Sequence, residues 1–185
     1  MTRDRVCGYH HHMAKPLKPG DILPSRRLTP SSGGVGVKVG ANRHRSQVLV
    51  VTHRKQCDEC TAYLASFAAV ADGIRAEKAE VLALVGADWD TLPLETPAVA
   101  FEDDGGLAAR LSPDDEPVVA VADRYGQLFL VEKAGAEHRF PQHQRIVHCL
   151  LDIGIRCPEC GVPDVPSGMV LPEAGTKSGG IPVHQ

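Results

Sequence analysis

Four of the six cysteines in this 185-residue chain fall in two Cys-x-x-Cys pairs, Cys57 with Cys60 and Cys157 with Cys160. Thiols spaced this way can close a disulfide or share a metal ion. The first pair follows a run of β-branched and aliphatic residues, Val48 to Val51, and a basic turn, His53 to Gln56. It precedes a segment, ending near Ala79, in which Tyr63, Phe67, Val70 and Ile74 recur at helical spacing. Cys57 is therefore expected at a helix N-cap, where unpaired N–H groups and the positive end of the macrodipole favour an anion. A thiolate is the nucleophile of disulfide exchange, so Cys57 is suited to attack and Cys60, one turn on, to resolve the mixed disulfide. His53, Arg54 and Lys55 add to that bias, while Asp58 and Glu59 oppose it. Metal ligation and plain burial are the competing readings; a strand, then the motif, then a helix favours redox chemistry.

The second pair, Cys157 and Cys160 in Cys-Pro-Glu-Cys-Gly, has the shape of a zinc knuckle. A tetrahedral zinc site needs four ligands, and the nearby supplements are His148 and Cys149. A second dithiol, relaying electrons to or from Cys57 and Cys60, is an equal alternative, and inert thiols are a third. No cofactor is expected, unless Cys157 and Cys160 are a zinc knuckle rather than a relay or inert thiols. Cys149, flanked at helical spacing by Ile146 and Ile153, reads as a core thiol, and neither Cys7 nor His10 to His12 is given a role.

The elements that must position this chemistry follow from pattern. From Lys18 to Arg45 a Pro-, Gly- and Ser-rich stretch, with a β-prone segment at Val35 to Val39, reads as an arm or hairpin packed on the domain. Val48 to Val51 and Val81 to Val85 are continuous apolar runs of the kind buried on both faces of a sheet. A short strand at Val99 to Phe101 and a brief helix at Gly106 to Leu111 come next. A hairpin then pairs Val118 to Ala122 with Gln127 to Glu132, and a closing helix spans Pro141 to Ile153. The fold class is α/β with a central mixed sheet flanked by helices. Residues 1–17 are expected to be a flexible leader, 18–153 the domain, and 154–185 a Cys-x-x-Cys turn with a disordered tail.

Composition narrows the partners. A net charge of −3 gives no drive toward phosphate backbones or anionic lipid, and 4% aromatic residues are too few for a base-stacking surface. Nucleic acid and membrane are both excluded as expected partners, since no apolar run approaches the roughly 18 residues of a membrane span. The opening MTRDRVCGYHHHMAKPLKPG lacks the apolar stretch of a secretory signal. A cytoplasmic location is expected, where cysteines serve as catalytic thiols or metal ligands more than as staples.

The run QVLVVTHRKQCDECTAYLASFAAVADGI resembles the strand, motif and first helix of thioredoxins, and DEPVVAVADRYGQLFLVEKAGA resembles their proline-led hairpin. KPGDILPSRRL and AFEDDGGLAARL are more similar to the redoxin branch, which holds alkyl hydroperoxide reductases, thiol-specific antioxidants and other peroxiredoxin-like proteins. The resemblance covers Gly20 to His138. It implies a thioredoxin-like fold, catalysis by Cys57 and Cys60, and a cis-proline at Pro117 that shapes the substrate groove, with Glu116 beside the thiols. A cis bond is otherwise a minority state, about 5–6% of such bonds in folded proteins. Two departures stand out. Thioredoxins carry Trp before the first cysteine and Gly-Pro between the pair, where this chain has Gln56, Asp58 and Glu59. Peroxiredoxins carry Pro and then Thr or Ser where this chain has Val50 and Arg54.

The expected function is a thiol–disulfide oxidoreductase acting on protein or small-molecule disulfides, with a reductase or low-molecular-weight thiol as electron donor. A peroxiredoxin-like peroxidase, in which peroxide oxidises Cys57 to a sulfenic acid that Cys60 condenses with, is the second reading. A non-catalytic, zinc-stabilised binding module on the same fold is the third.

Overall fold

A computed structural model describes residues 15–28, 36–41, 44–86, 89, 98–102 and 106–156. The chain divides into two units, Met1–Gly154 and Ile155–Gln185. The first carries the fold. Cys157, Cys160, Cys7 and His10 to His12 lie outside the described residues, as does nearly all of the second unit.

The centre of the first unit is β3 (Ser46–Val51), which pairs in parallel with β4 (Ala79–Val85) and antiparallel with β6 (Val118–Ala122). Outside these run β5 (Ala98–Glu102), parallel to β4, and β7 (Leu128–Lys133), antiparallel to β6, giving a five-stranded sheet in the order β5-β4-β3-β6-β7. Val48 and Val50 face one layer, Leu49 and Val51 the other, and all four are at most 2% exposed. That two-sided burial accounts for the absence of polar alternation in the β3 sequence.

One layer consists of α1 (Asp58–Ser66), a 3-10 turn (Phe67–Val70), α2 (Ala71–Ala76) and α4 (His143–Gly154), which put Leu64, Phe67, Ile74, Ile146 and Leu150 against the sheet. The opposite layer holds α3 (Gly106–Leu111) and the hairpin of β1 (Arg26–Leu28) with β2 (Val37–Val39). Leu17 and Leu23 complete it; Leu17 also donates its N–H to Arg110 O at 2.8 Å, so the packed unit begins before Lys18.

The single helix expected from Cys57 to Ala79 is broken instead. Ser66 Oγ donates to Tyr63 O at 2.6 Å, offering that carbonyl a side-chain partner where the α-helical ladder gives way to the 3-10 turn. Lys78, with φ of 51°, ends the segment, and Ala79 already belongs to β4. Phe67 and Ile74 still reach the core from either side of the break.

Gln47, fully buried on β3, ties the β1–β2 hairpin to the sheet. Its Oε1 accepts from Gly40 N and its Nε2 donates to Lys38 O and Glu80 Oε1, each at 2.9 Å. At the other end, Asp123 Oδ1 accepts from Tyr125 N at 2.9 Å and Gln127 N at 2.8 Å, and Gly126 at φ 86° supplies the left-handed residue that the β6–β7 turn requires. Among the described residues no helix is long and apolar enough to cross a membrane.

Two outcomes are expected from this packing. Gln47→Leu strands the Gly40 N–H and the Lys38 carbonyl, so urea unfolding should show a loss of about 1–3 kcal/mol. His143, wedged against Tyr63 and Phe67, is held below its ordinary value of 6.5 by burial. The unfolded chain therefore binds the proton more readily, and stability must fall as pH drops below 6.5 until the folded-state value is passed. Urea midpoints of the wild type and His143→Gln, compared from neutral pH down to about pH 5, should show a shallower acid loss in the variant.

Candidate redox site

The loop from Thr52 to Cys57 leaves β3 at its C-terminal end and delivers the motif to α1. Thr52 prolongs the β3–β4 pairing by donating its N–H to Leu84 O at 3.1 Å. Gly86, just beyond β4, then lets Arg54 lie so close that a Cβ there would stand 2.3 Å from Arg54 O. Only glycine fits such an approach. Trp89 closes the same corner, its indole N–H donating to His53 O at 3.0 Å.

Cys57 is the N-cap of α1, with extended backbone at φ −137° and ψ 153°, as its sequence position requires. Thr61 donates both its N–H (3.1 Å) and its hydroxyl (2.9 Å) to Cys57 O, fastening the first turn. Cys57 is half-buried, whereas Cys60 is 1% exposed, and both are free thiols. Burial pushes the Cys60 thiol up to about 12, and the neighbouring Cys57 and Glu59 add to that effect. Cys60 is therefore held as the protonated partner, and Cys57 is the sulfur offered to solvent.

Two imidazoles meet these sulfurs. His53 Nδ1 lies 3.5 Å from Cys57 Sγ and 3.6 Å from Cys60 Sγ, and His138 Nε2 lies 3.5 Å from Cys57 Sγ on another side. The two rings make an edge contact at 4.9 Å. An imidazole at this distance can take the thiol proton and stand as a cation beside the thiolate, the arrangement that activates cysteine nucleophiles elsewhere.

His138 comes from the turn after β7. Its φ of 52° is in the left-handed region, uncommon for a non-glycine residue, and its N–H donates to Gly135 O at 3.1 Å. The next residues anchor it: Phe140 stacks on Tyr63 of α1 at 4.0 Å, nearly parallel, and the Tyr63 hydroxyl donates to Pro141 O at 3.0 Å. Burial, with Glu132 nearby, raises Tyr63 well above the usual phenol range, so the hydroxyl stays a donor.

Sequence reasoning found Cys57, Cys60 and His53 but missed His138, which is 81 residues from Cys57 in the chain. Trp89 and Gly86 were missed too. The available signal for His138 was its place at the end of a hairpin whose start resembles the proline segment of redoxins.

Pro117 departs from expectation. No peptide bond among the described residues is cis, so Glu116–Pro117 is trans. The backbone on both sides is engaged: Ser112 Oγ donates to Glu116 O, and Pro117 O accepts from Ala134 N at 2.7 Å, which continues the β6–β7 pairing. Glu116 turns its carboxylate to Lys133, 3.2 Å away. Arg54, at the position where peroxiredoxins carry Thr or Ser, is largely exposed and pairs with Asp115 at 3.8 Å, and Val50 is sealed in the sheet. Cys149 is half-buried and packs against the α1/α4 layer.

No family model matches the sequence, and no curated protein matches it either. Solved structures do. A peroxiredoxin-like protein from Aquifex aeolicus superposes with a TM-score of 0.59 at 14% identity, over 76% of this chain and 90% of that one. The reduced 2-Cys peroxiredoxin of Plasmodium vivax gives 0.58 at 12% identity, over 75% and 82%. A Chlorobium tepidum protein named as a thiol:disulfide interchange protein, DsbE, gives 0.53 at 20% identity, over 72% and 99%. With the mixed sheet, its two helical layers and a dithiol at the start of α1, these likenesses establish a thioredoxin-like fold, the one these peroxiredoxin and disulfide-interchange neighbours share.

Proposed function

We propose that this chain is a thiol–disulfide oxidoreductase in which Cys57 attacks and Cys60 resolves. The observation that carries the reading is the inequality of the two thiols: Cys57 is accessible, at a helix N-cap, with imidazole nitrogens of His53 and His138 each 3.5 Å away, while Cys60 is buried one turn behind it. The helix N-terminus favours the anion at the first sulfur.

The exchange balances as two displacements. The Cys57 thiolate attacks one sulfur of a substrate disulfide, forming a mixed disulfide and expelling a thiolate that takes up a proton. Cys60, losing its proton to that departing group or to an adjacent imidazole, then attacks Cys57 and expels the second substrate thiol. One disulfide is reduced to two thiols and one dithiol is oxidised, with two electrons transferred. Donor chemistry runs the same steps backwards, with a thiol reductase or a low-molecular-weight thiol restoring the dithiol, as a reducing cytoplasm would allow. The solved neighbour named for thiol:disulfide interchange supports this reading, and the two sulfurs lie within 4.8 Å of each other.

Peroxide reduction is the second reading, favoured by the peroxiredoxin-like neighbours. There the Cys57 thiolate takes the terminal peroxide oxygen, the alcohol or water leaves, and Cys60 condenses with the sulfenic acid, releasing water. Val50 and Arg54 replace the residues that shape a peroxide pocket in the family it resembles, so disulfide exchange is preferred.

Reduction of a model disulfide should fall to the uncatalysed background in Cys57→Ser. In Cys60→Ser the same assay should stall after one displacement, with a mixed disulfide at Cys57 visible by intact-mass spectrometry. Full turnover in Cys57→Ser refutes the proposal. Trapping of sulfenic acid at Cys57 by equimolar hydroperoxide, faster than reaction with the disulfide, would move the assignment to the peroxidase.

A further inference from the structure

Four side chains of this site share a property beyond their closeness. His53, Cys57, Cys60 and His138 each present one ligand atom, and all four atoms lie within 4.8 Å of one another. Two sulfurs and two imidazole nitrogens are the donor set of a tetrahedral zinc site.

The spacing can be tested against bond lengths. With Zn–S about 2.3 Å and Zn–N about 2.0–2.1 Å, the sulfur-to-nitrogen edge of a regular tetrahedron is about 3.6 Å. The structure has Cys57 Sγ to His53 Nδ1 at 3.5 Å, Cys57 Sγ to His138 Nε2 at 3.5 Å, and Cys60 Sγ to His53 Nδ1 at 3.6 Å. Three sulfur-to-nitrogen edges thus already have the length that an ion at the centre would impose.

From this geometry we infer that the reduced chain binds one zinc ion through Cys57, Cys60, His53 and His138. Two thiolates cancel the charge of Zn²⁺, so a neutral complex replaces two thiols, and two protons leave as it forms. Neutrality matters because Cys60 is buried, where an unbalanced charge is costly. The frame is built before the ion arrives: the Trp89 indole holds the His53 carbonyl, and the Tyr63–Phe140 stack holds the turn that carries His138. His53, Cys57 and His138 are only half-buried, which leaves the ion a way in. The site is separate from the knuckle that is one of three readings of Cys157 and Cys160. On the proposed dithiol chemistry, a disulfide between Cys57 and Cys60 consumes both thiolates, so metal and disulfide exclude each other.

Cobalt is the probe, because Co²⁺ takes the place of zinc and absorbs strongly in the visible only when tetrahedral. The full chain, reduced and stripped with a chelator, should develop tetrahedral and thiolate-to-cobalt bands that saturate at one equivalent and vanish on addition of Zn²⁺. His138→Asn, which tolerates the left-handed backbone, should weaken binding by at least about tenfold to a hundredfold, the loss produced by removing even an outer-shell partner. The double variant Cys157→Ser, Cys160→Ser should keep both band and stoichiometry. Matching far-ultraviolet circular dichroism and urea midpoints in chelator show that the variants fold. Absence of the tetrahedral band, unchanged affinity in His138→Asn, or loss of the band in the Cys157/Cys160 variant overturns the inference. Disulfide reduction by the chelated, metal-free wild type is scored separately, so failure of the metal site and failure of the oxidoreductase reading give different results.

Discussion

The contact on which the site depends is the stack of Phe140 on Tyr63. Cys57 opens α1, and His138 ends a turn far along the chain; no local preference brings them together. Tyr63, six residues beyond Cys57, reaches across to Phe140 and Pro141 with both its ring and its hydroxyl. Ring stacking of this kind adds about 0.5–1.5 kcal/mol beyond the area it buries. Phe67 and His143 extend the same aromatic cluster, so the helix that offers the thiol is fastened to the segment that offers the second imidazole. His138 pays in backbone strain for its place, and the cluster is what holds it there.

The opposite wall is built differently. It is backbone against backbone, with Gly86 leaving no space beside Arg54, and the Trp89 indole pinning His53 through its carbonyl. The site therefore lies between a wall fixed by a missing side chain and a wall fixed by large aromatic ones. The β3 strand supplies the floor: buried on both faces, it can neither slip in register nor tilt without exposing one of its valines.

What could be read in the sequence was whatever rests on local pattern. Val48 to Val51, Val81 to Val85 and Val118 to Ala122 declare buried strands by lacking polar residues, and Gly106 to Leu111 forms the short helix that its apolar spacing suggests. Cys57 at the N-cap follows from a strand meeting a helical stripe. The interruption after Ser66 was hidden because the apolar stripe survives it, and a hydroxyl bonded to a carbonyl leaves no mark on periodicity. Pro117 shows the limit of resemblance: the segment matches, yet its peptide bond is trans. Trp89 and Gly86 act through tertiary approach alone, which single letters do not carry, and His138 was marked only by its place after the resembling hairpin.

The depth difference between the two sulfurs has a consequence for what can be harmed. A bulky oxidant meets Cys57 first and, so long as the fold is intact, has no path to Cys60, which is 1% exposed. On the dithiol reading, a disulfide or sulfenic acid formed at the outer position is resolved from within, by a thiol that the same oxidant could not have spent. The pair keeps its reserve behind its point of contact.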